Sequence, residues 1–159
     1  METAKQVSIF LENKPGRLAN VLSALAREKV NITALSVMDS HEHNVLRVVV
    51  NDIGKTLQVL GGMGIRHAET DVLLVELRNQ PGALAHVCES LAAEHVNIDY
   101  AYCSSGGRNG KTVGIFKVNN VPKATKLLGE GLNSTLRRKL AQRPVRDRRS
   151  YQAPGNSRK

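Results

Sequence analysis

Four asparagines recur at matched places in the chain. Asn13 and Asn79 each open an Asn-x-Pro-Gly turn, Asn13-Lys14-Pro15-Gly16 and Asn79-Gln80-Pro81-Gly82, while Asn31 and Asn97 each sit inside the triplet Val-Asn-Ile. A side-chain amide both donates and accepts, so it can hold a carboxylate and an ammonium without placing a fixed charge beside them. Each Asn-x-Pro-Gly turn leads into a helical pattern, and a helix start presents unpaired N–H groups and the positive end of the dipole, which together suit a carboxylate. Gly16 and Gly82 carry no Cβ, which lets a ligand approach the backbone. The candidate ligand-binding set is therefore Asn13, Pro15, Gly16, Leu18, Asn31 and Ile32, with the second set Asn79, Pro81, Gly82, Leu84, Asn97 and Ile98. The competing reading is that Asn13 and Asn79 cap helices and that Asn31 and Asn97 fix turns.

Other reactive groupings carry less. Gly54-Lys55-Thr56 and Gly110-Lys111-Thr112 look like the end of a phosphate-binding loop, but the glycine required five positions earlier is Val49 in one case and Ser105 in the other. His41 and His43 form a His-x-His with no accompanying cysteine or acidic cluster, which favours an exposed turn over a metal site. Cys88 falls in a core-facing helical slot, and nothing in the spacing orients His86 or His95 against Cys103 as a nucleophile and base. Tyr100 and Tyr102 are expected to share one strand face with Ile98, as core or domain interface. No catalytic residue, metal or cofactor is expected.

The elements that position these residues follow from an internal repeat. A shift of 66 residues lays Val7–Leu35 over Leu73–Ala101, with identities at Leu11/Leu77, Val21/Val87, Leu25/Leu91, Val30/Val96 and at the Asn, Pro and Gly positions above. Val7, Ile9, Leu11 and Leu73, Val75, Leu77 alternate as strands with one buried face. Leu18, Val21, Leu22, Leu25 and Leu84, Val87, Cys88, Leu91 have the spacing of amphipathic helices, for which Pro15 and Pro81 suit the first turn. A second strand, a third strand and a shorter helix follow in each unit, the third strands being offset by 68. Ile65–Thr70 supplies a fourth strand to the first unit. After Gly131 the spacing turns helical, so the last strand of the second unit is expected to be irregular, missing, or drawn from Pro144–Tyr151. The fold class is α+β: two βαββαβ units packed together, antiparallel sheets covered by helices on one face. The expected domains are 5–70 and 71–136, followed by a basic, flexible tail over 137–159.

Composition sets the outer bounds. The 159 residues carry a net charge of +9. Residues 137–159 hold nine basic residues and one acid, which leaves only +1 for the 136 residues before them. A polyanion contact through Arg137, Arg138, Lys139, Arg143, Arg146, Arg148 and Arg149 is thus confined to the tail, and the chain, with no Trp and five Phe and Tyr together, leaves few base-stacking platforms. No apolar run approaches the roughly 18 residues of a membrane span, no secretory signal is visible, and two cysteines exclude a disulfide framework, so the expectation is a cytoplasmic protein without membrane contact.

The order strand, Asn-x-Pro-Gly-x-Leu, helix, Val-Asn-Ile, hairpin, helix, strand resembles the ACT domain, a small-molecule regulatory module of ferredoxin-like fold, in two tandem copies. The resemblance implies binding of a free amino acid as an effector between paired domains. In the regulatory domain of phosphoglycerate dehydrogenase serine is held by the loop Asn and by the Asn opening the second strand, matched here by Asn13 and Asn31 and by Asn79 and Asn97. The histidine two residues before the loop Asn is replaced by Leu11 and Leu77, so serine is not implied as the ligand. The expected function is a non-catalytic amino-acid sensor whose partner is a second copy or a regulated enzyme. The alternatives are a nucleic-acid- or ribosome-associated protein acting through the tail, or a regulatory subunit of a metabolic enzyme.

Overall fold

The computed structural model describes residues 1–38, 43–107 and 111–129. The element order is β1 (Glu2–Glu12), α1 (Arg17–Arg27), β2 (Ile32–Met38), β3 (His43–Val50), α2 (Ile53–Gly62), β4 (His67–Arg78), α3 (Ala83–Ala93), β5 (Ile98–Gly107) and β6 (Lys111–Val118). A last helix, α4, covers residues 121–129. The six strands form one antiparallel sheet in the order β2-β3-β1-β4-β6-β5.

The alternating strand residues meet the helical stripes on one face of this sheet. Val7, Ile9, Leu11, Leu46 and Val48 bury against Val21 and Leu25 of α1 and Leu60 of α2. Leu73, Val75, Leu77 and Phe116 do the same against Val87 and Leu91 of α3 and Ala124 and Leu128 of α4. A fully buried Val or Leu side chain contributes about 1.5–3 kcal/mol, so each half carries its own apolar anchor. Ile32 and Ile98 pack against these two cores.

The expected fourth strand of the first unit and the first strand of the second are one strand, β4, which runs through position 70 without a break. In the place beside β4 where the second unit lacks its own fourth strand, β1 stands instead: Glu2, Thr3 and Ala4 pair with Leu74, Leu73 and Val72. Residues 130–159 lie outside the described residues, and with them the possible strand over Pro144–Tyr151, the basic tail and its seven candidate cations. In the β1–β4 ladder Lys5 lies opposite Asp71, its own counterpart under the 66-residue shift, so the pseudo-two-fold axis passes between them. The equivalence that would set like charges face to face is broken by an ion pair of 2.8 Å.

The centre of the opposite face of the sheet is also buried. The sheet coils until its edge strands β2 and β5 meet, with Ser104 Oγ donating to the Thr33 carbonyl at 2.9 Å. Ala34, Val49, Val72, Leu74 and Ile115 form a second apolar cluster there, with Tyr102 against it. This corrects the shared face expected for Ile98, Tyr100 and Tyr102. A register shift between Ile98 and Tyr100 inserts one residue, which sends Ile98 to the helix side and Tyr102 to the other.

Candidate functional site

The two Asn-x-Pro-Gly turns are built alike. Lys14 N donates to the Glu12 carbonyl at 2.8 Å and Arg17 N to the Lys14 carbonyl at 3.3 Å; Gln80 N to Arg78 and Ala83 N to Gln80 repeat the pattern at 2.8 and 3.3 Å. Gly16 and Gly82 are the N-caps of α1 and α3, with φ of 85° and 86°. A Cβ on Gly16 would meet nothing, so glycine is required there by the left-handed backbone and not by crowding. Pro15 and Pro81 lie one residue before the cap, outside the first helical turn expected for them, where their fixed φ shapes the turn. Neither helix is capped by a side chain; Asn13 Oδ1 instead accepts from Asn44 Nδ2 at 3.1 Å. Leu18 and Leu84 are 37% and 44% exposed one residue into each helix, which leaves both apolar surfaces free for a ligand or partner.

Asn31 and Asn97 are bracketed in a second repeated motif. Asn51 Oδ1 accepts from Asn31 N at 2.8 Å while Asn51 N donates to the Asn31 carbonyl at 3.1 Å. Asn119 treats Asn97 in the same way, at 3.1 Å for both bonds. Glu12 lies opposite His43 and Ile32 opposite Val50, so Asn13 and Asn31 flank opposite ends of β3. Seven strand residues at about 3.3 Å each separate them by roughly 23 Å. Within one unit a single amino acid cannot touch both. The same holds for Asn79 and Asn97 across β6.

The Gly54-Lys55-Thr56 grouping is accounted for by a helix start. Asp52 Oδ1 caps α2 by accepting from Lys55 N at 3.0 Å, and the buried Thr56 donates its hydroxyl to the Asp52 carbonyl at 2.8 Å. Asn120 caps α4 on Lys123 N at 3.0 Å in the same way. Lys111 opens β6, while Gly110 and His41 lie outside the described residues. Cys88 is half-buried against the second core and Cys103 is exposed.

Beside the first turn lies an open groove of about 340 Å³. Its floor is apolar, formed by the buried Leu11 and Val21 with Ile65, and Phe10 and Met63 stand at its sides. Its polar groups are Glu12 from the end of β1, Arg17 and Asn20 from the first turn of α1, and Arg66 from the turn before β4. These elements converge because β1 and β4 are antiparallel neighbours, tied at this end by Phe10 N donating to the Arg66 carbonyl at 3.0 Å. Glu12 Oε2 accepts from Arg17 Nη2 at 2.9 Å and lies 3.0 Å from Lys14 Nζ. Lys14 and Arg17 hold the Glu12 carboxyl below its ordinary range, so it is anionic at neutral pH. The Arg66 guanidinium lies 5.7 Å from the Phe10 ring centre, and among the described residues no carboxylate pairs with it.

Sequence identity between the repeats did not point to this groove, because its polar residues are the ones that are not repeated. The positions of Glu12, Arg17 and Asn20 are occupied in the second unit by Arg78, Ala83 and His86. The signal available in the sequence was this mismatch beside an otherwise matched turn.

Residues 2–140 match the model of the ACT domain pair family. A protein of Bacteroides thetaiotaomicron of known structure is 37% identical, with a TM-score of 0.76 over 82% of this chain and 89% of that one. The regulatory subunit of aspartate kinase from Thermus thermophilus, in its ligand-free form, is 16% identical with a TM-score of 0.61, covering 82% of this chain and 93% of that one. The aspartokinase alpha and beta subunits are 20% identical, with a TM-score of 0.54 over 84% of this chain and 98% of that one. No match was found among curated proteins. The chain belongs to the ACT domain pair family.

Proposed function

We propose that this ACT domain pair is a non-catalytic regulatory protein that binds a free amino acid and passes its occupancy to a partner, either a regulated enzyme or a second copy of the chain. The observation that carries this reading is the groove of the first unit, where an apolar floor is rimmed by charges of both signs next to the Asn13–Gly16 turn. A zwitterion requires a cation for its carboxylate and an anion for its ammonium within a few ångströms of each other, and Arg17 and Glu12 are such a pair. The two distant relatives that share the fold include a regulatory subunit of aspartate kinase, which supports a partner enzyme as the recipient of the signal.

A ligand held by Asn13 and Asn31 together would need those groups from two different chains or units, since roughly 23 Å separates them in one unit. The groove requires no second chain for its charges, so binding and assembly are separable steps that are linked only if one arrangement of chains binds the amino acid more tightly.

Thermal denaturation of the full chain against the twenty standard amino acids tests the reading. Binding to the folded state alone raises its stability by about 2.7 kcal/mol at a ligand concentration one hundred times Kd, so at least one amino acid raises the melting temperature. Arg17→Ala diminishes that rise. If no amino acid moves the transition, the protein is not an amino-acid sensor.

A further inference from the structure

The groove holds three fixed charges and not two. Arg17 and Glu12 form the pair described above, and Arg66 adds a second guanidinium from a different element. A neutral amino acid satisfies the first two and leaves Arg66 facing an apolar side chain. An acidic amino acid presents three charges in the complementary sense: an α-carboxylate, an α-ammonium and a side-chain carboxylate. The net charge of the lining, +1 from Glu12, Arg17 and Arg66, is opposite to the −1 of aspartate or glutamate. The methylene carbons of such a ligand would lie on Leu11, Val21 and Ile65, and the Asn20 amide stands at the same rim to accept or donate.

Resting on the amino-acid-binding reading, we infer that the ligand class of this groove is the acidic amino acids, with Arg17 holding the α-carboxylate, Glu12 the α-ammonium and Arg66 the side-chain carboxylate. The second unit does not take the same ligand. Arg78 reverses the charge of Glu12 and Ala83 removes that of Arg17, so an α-ammonium there would meet a guanidinium. Among the described residues, a site with these charges therefore occurs in the first unit and not at the equivalent place in the second.

Isothermal titration of the full chain with each of the twenty standard amino acids, among them L-aspartate, L-glutamate and their amides L-asparagine and L-glutamine, and with succinate tests the assignment. Charge-assisted hydrogen bonds are roughly twice as strong as neutral ones, so the better acidic amino acid binds about tenfold or more tightly than its amide. Arg66→Gln removes that preference while leaving the amide bound as before. Glu12→Gln weakens acid and amide alike, and succinate, which has no ammonium, binds more weakly than aspartate to the unaltered chain. Melting temperatures of both variants within a few degrees of the parent show that the fold is intact, as expected for exposed positions. If an uncharged or basic amino acid binds more tightly than either acid, or if Arg66→Gln leaves the preference unchanged, the acidic assignment is overturned and the amino-acid-binding reading stands. Absence of binding by every amino acid overturns both.

Discussion

The two halves of the chain share a scaffold and differ in what they place on it. The turns at Gly16 and Gly82 have the same φ, the Asn51 and Asn119 brackets make the same two bonds, and Asp52 and Asn120 cap α2 and α4 on a lysine N–H three residues on. Against that sameness, the groove charges appear once, and the inner face of the coiled sheet is polar on one side of the axis and apolar on the other. The fully buried Gln6 donates to Tyr100 Oη at 2.8 Å and accepts from Tyr102 Oη at 3.0 Å, and Arg47 lies over the Tyr100 ring at 3.9 Å. The symmetric partners of Gln6, Tyr100 and Tyr102 are Val72, Ala34 and Ser36. The identities mark what the shared fold needs, and the differences gather at the groove, at the centre of the inner face and at one pair of core positions.

The largest effect comes from exchanging core residues between halves. The first unit packs Leu46 and Val48 where the second packs Gly114 and Phe116, and a Cβ on Gly114 would stand 2.7 Å from Phe116 Cε2 and 3.2 Å from Leu77 Cδ1. Gly114→Leu therefore costs about 2–3 kcal/mol by overpacking, and Phe116→Val about 2–4 kcal/mol by leaving a cavity. The double variant, which restores the first unit's pair, loses much less than the sum. Urea denaturation of the three proteins measures this; strict additivity would show that the two halves are not interchangeable at these positions.

Next in size is the polar centre. Gln6→Leu leaves two tyrosine hydroxyls without their partner and costs about 1–3 kcal/mol, and Val72→Gln buries an amide among apolar neighbours at a similar cost. If either change proves neutral in denaturant melts, the asymmetry of the inner face has no energetic meaning. A pH dependence accompanies it. Burial, with Tyr100 beside it, raises the Tyr102 phenol well above its ordinary value. The unfolded chain releases that proton near pH 10 while the folded one retains it, so its contribution to stability is complete below about pH 10 and declines as pH rises further. Tyr102→Phe reduces this alkaline slope, which melts recorded between neutral pH and pH 11 would reveal.

Gly16→Ala and Gly82→Ala each place a side chain in the left-handed region at about 1–2 kcal/mol, and the two losses should agree, because the two turns are the same. A large disparity in their melting temperatures would break the shared-scaffold account. The smallest effect belongs to the axis: Lys5→Ala removes an exposed ion pair to Asp71, and any change in melting temperature disappears in high salt.

Much of this was legible in the sequence because apolar alternation and helical stripes report burial directly. Val7, Ile9, Leu11 and their counterparts bury as read, and the repeat fixed the pairing of units. The fusion of two strands into β4 was not legible, since a strand entering one sheet and continuing into the next carries no break to read. Nor was the use of Glu2–Ala4 as the closing strand of the second unit, which depends on a partner 70 residues away. The face of Tyr102 was misread because a bulge shifts parity without changing composition. The groove was hidden for another reason: Glu12, Arg17 and Arg66 are exposed charged residues, the commonest kind of surface residue, and only the fold brings the third to the first two.

As proposed, the amino acid binds in the first unit and not in the second. Amide chemical shifts of the isotopically labelled full chain, followed during titration with L-glutamate and L-aspartate, test this residue by residue. Saturable shifts are expected at Glu12, Arg17, Asn20 and Gly64–Arg66, with Arg78, Ala83 and His86 unmoved. Shifts of equal size at the second set, or shifts confined to it, would show that the second unit binds the amino acid.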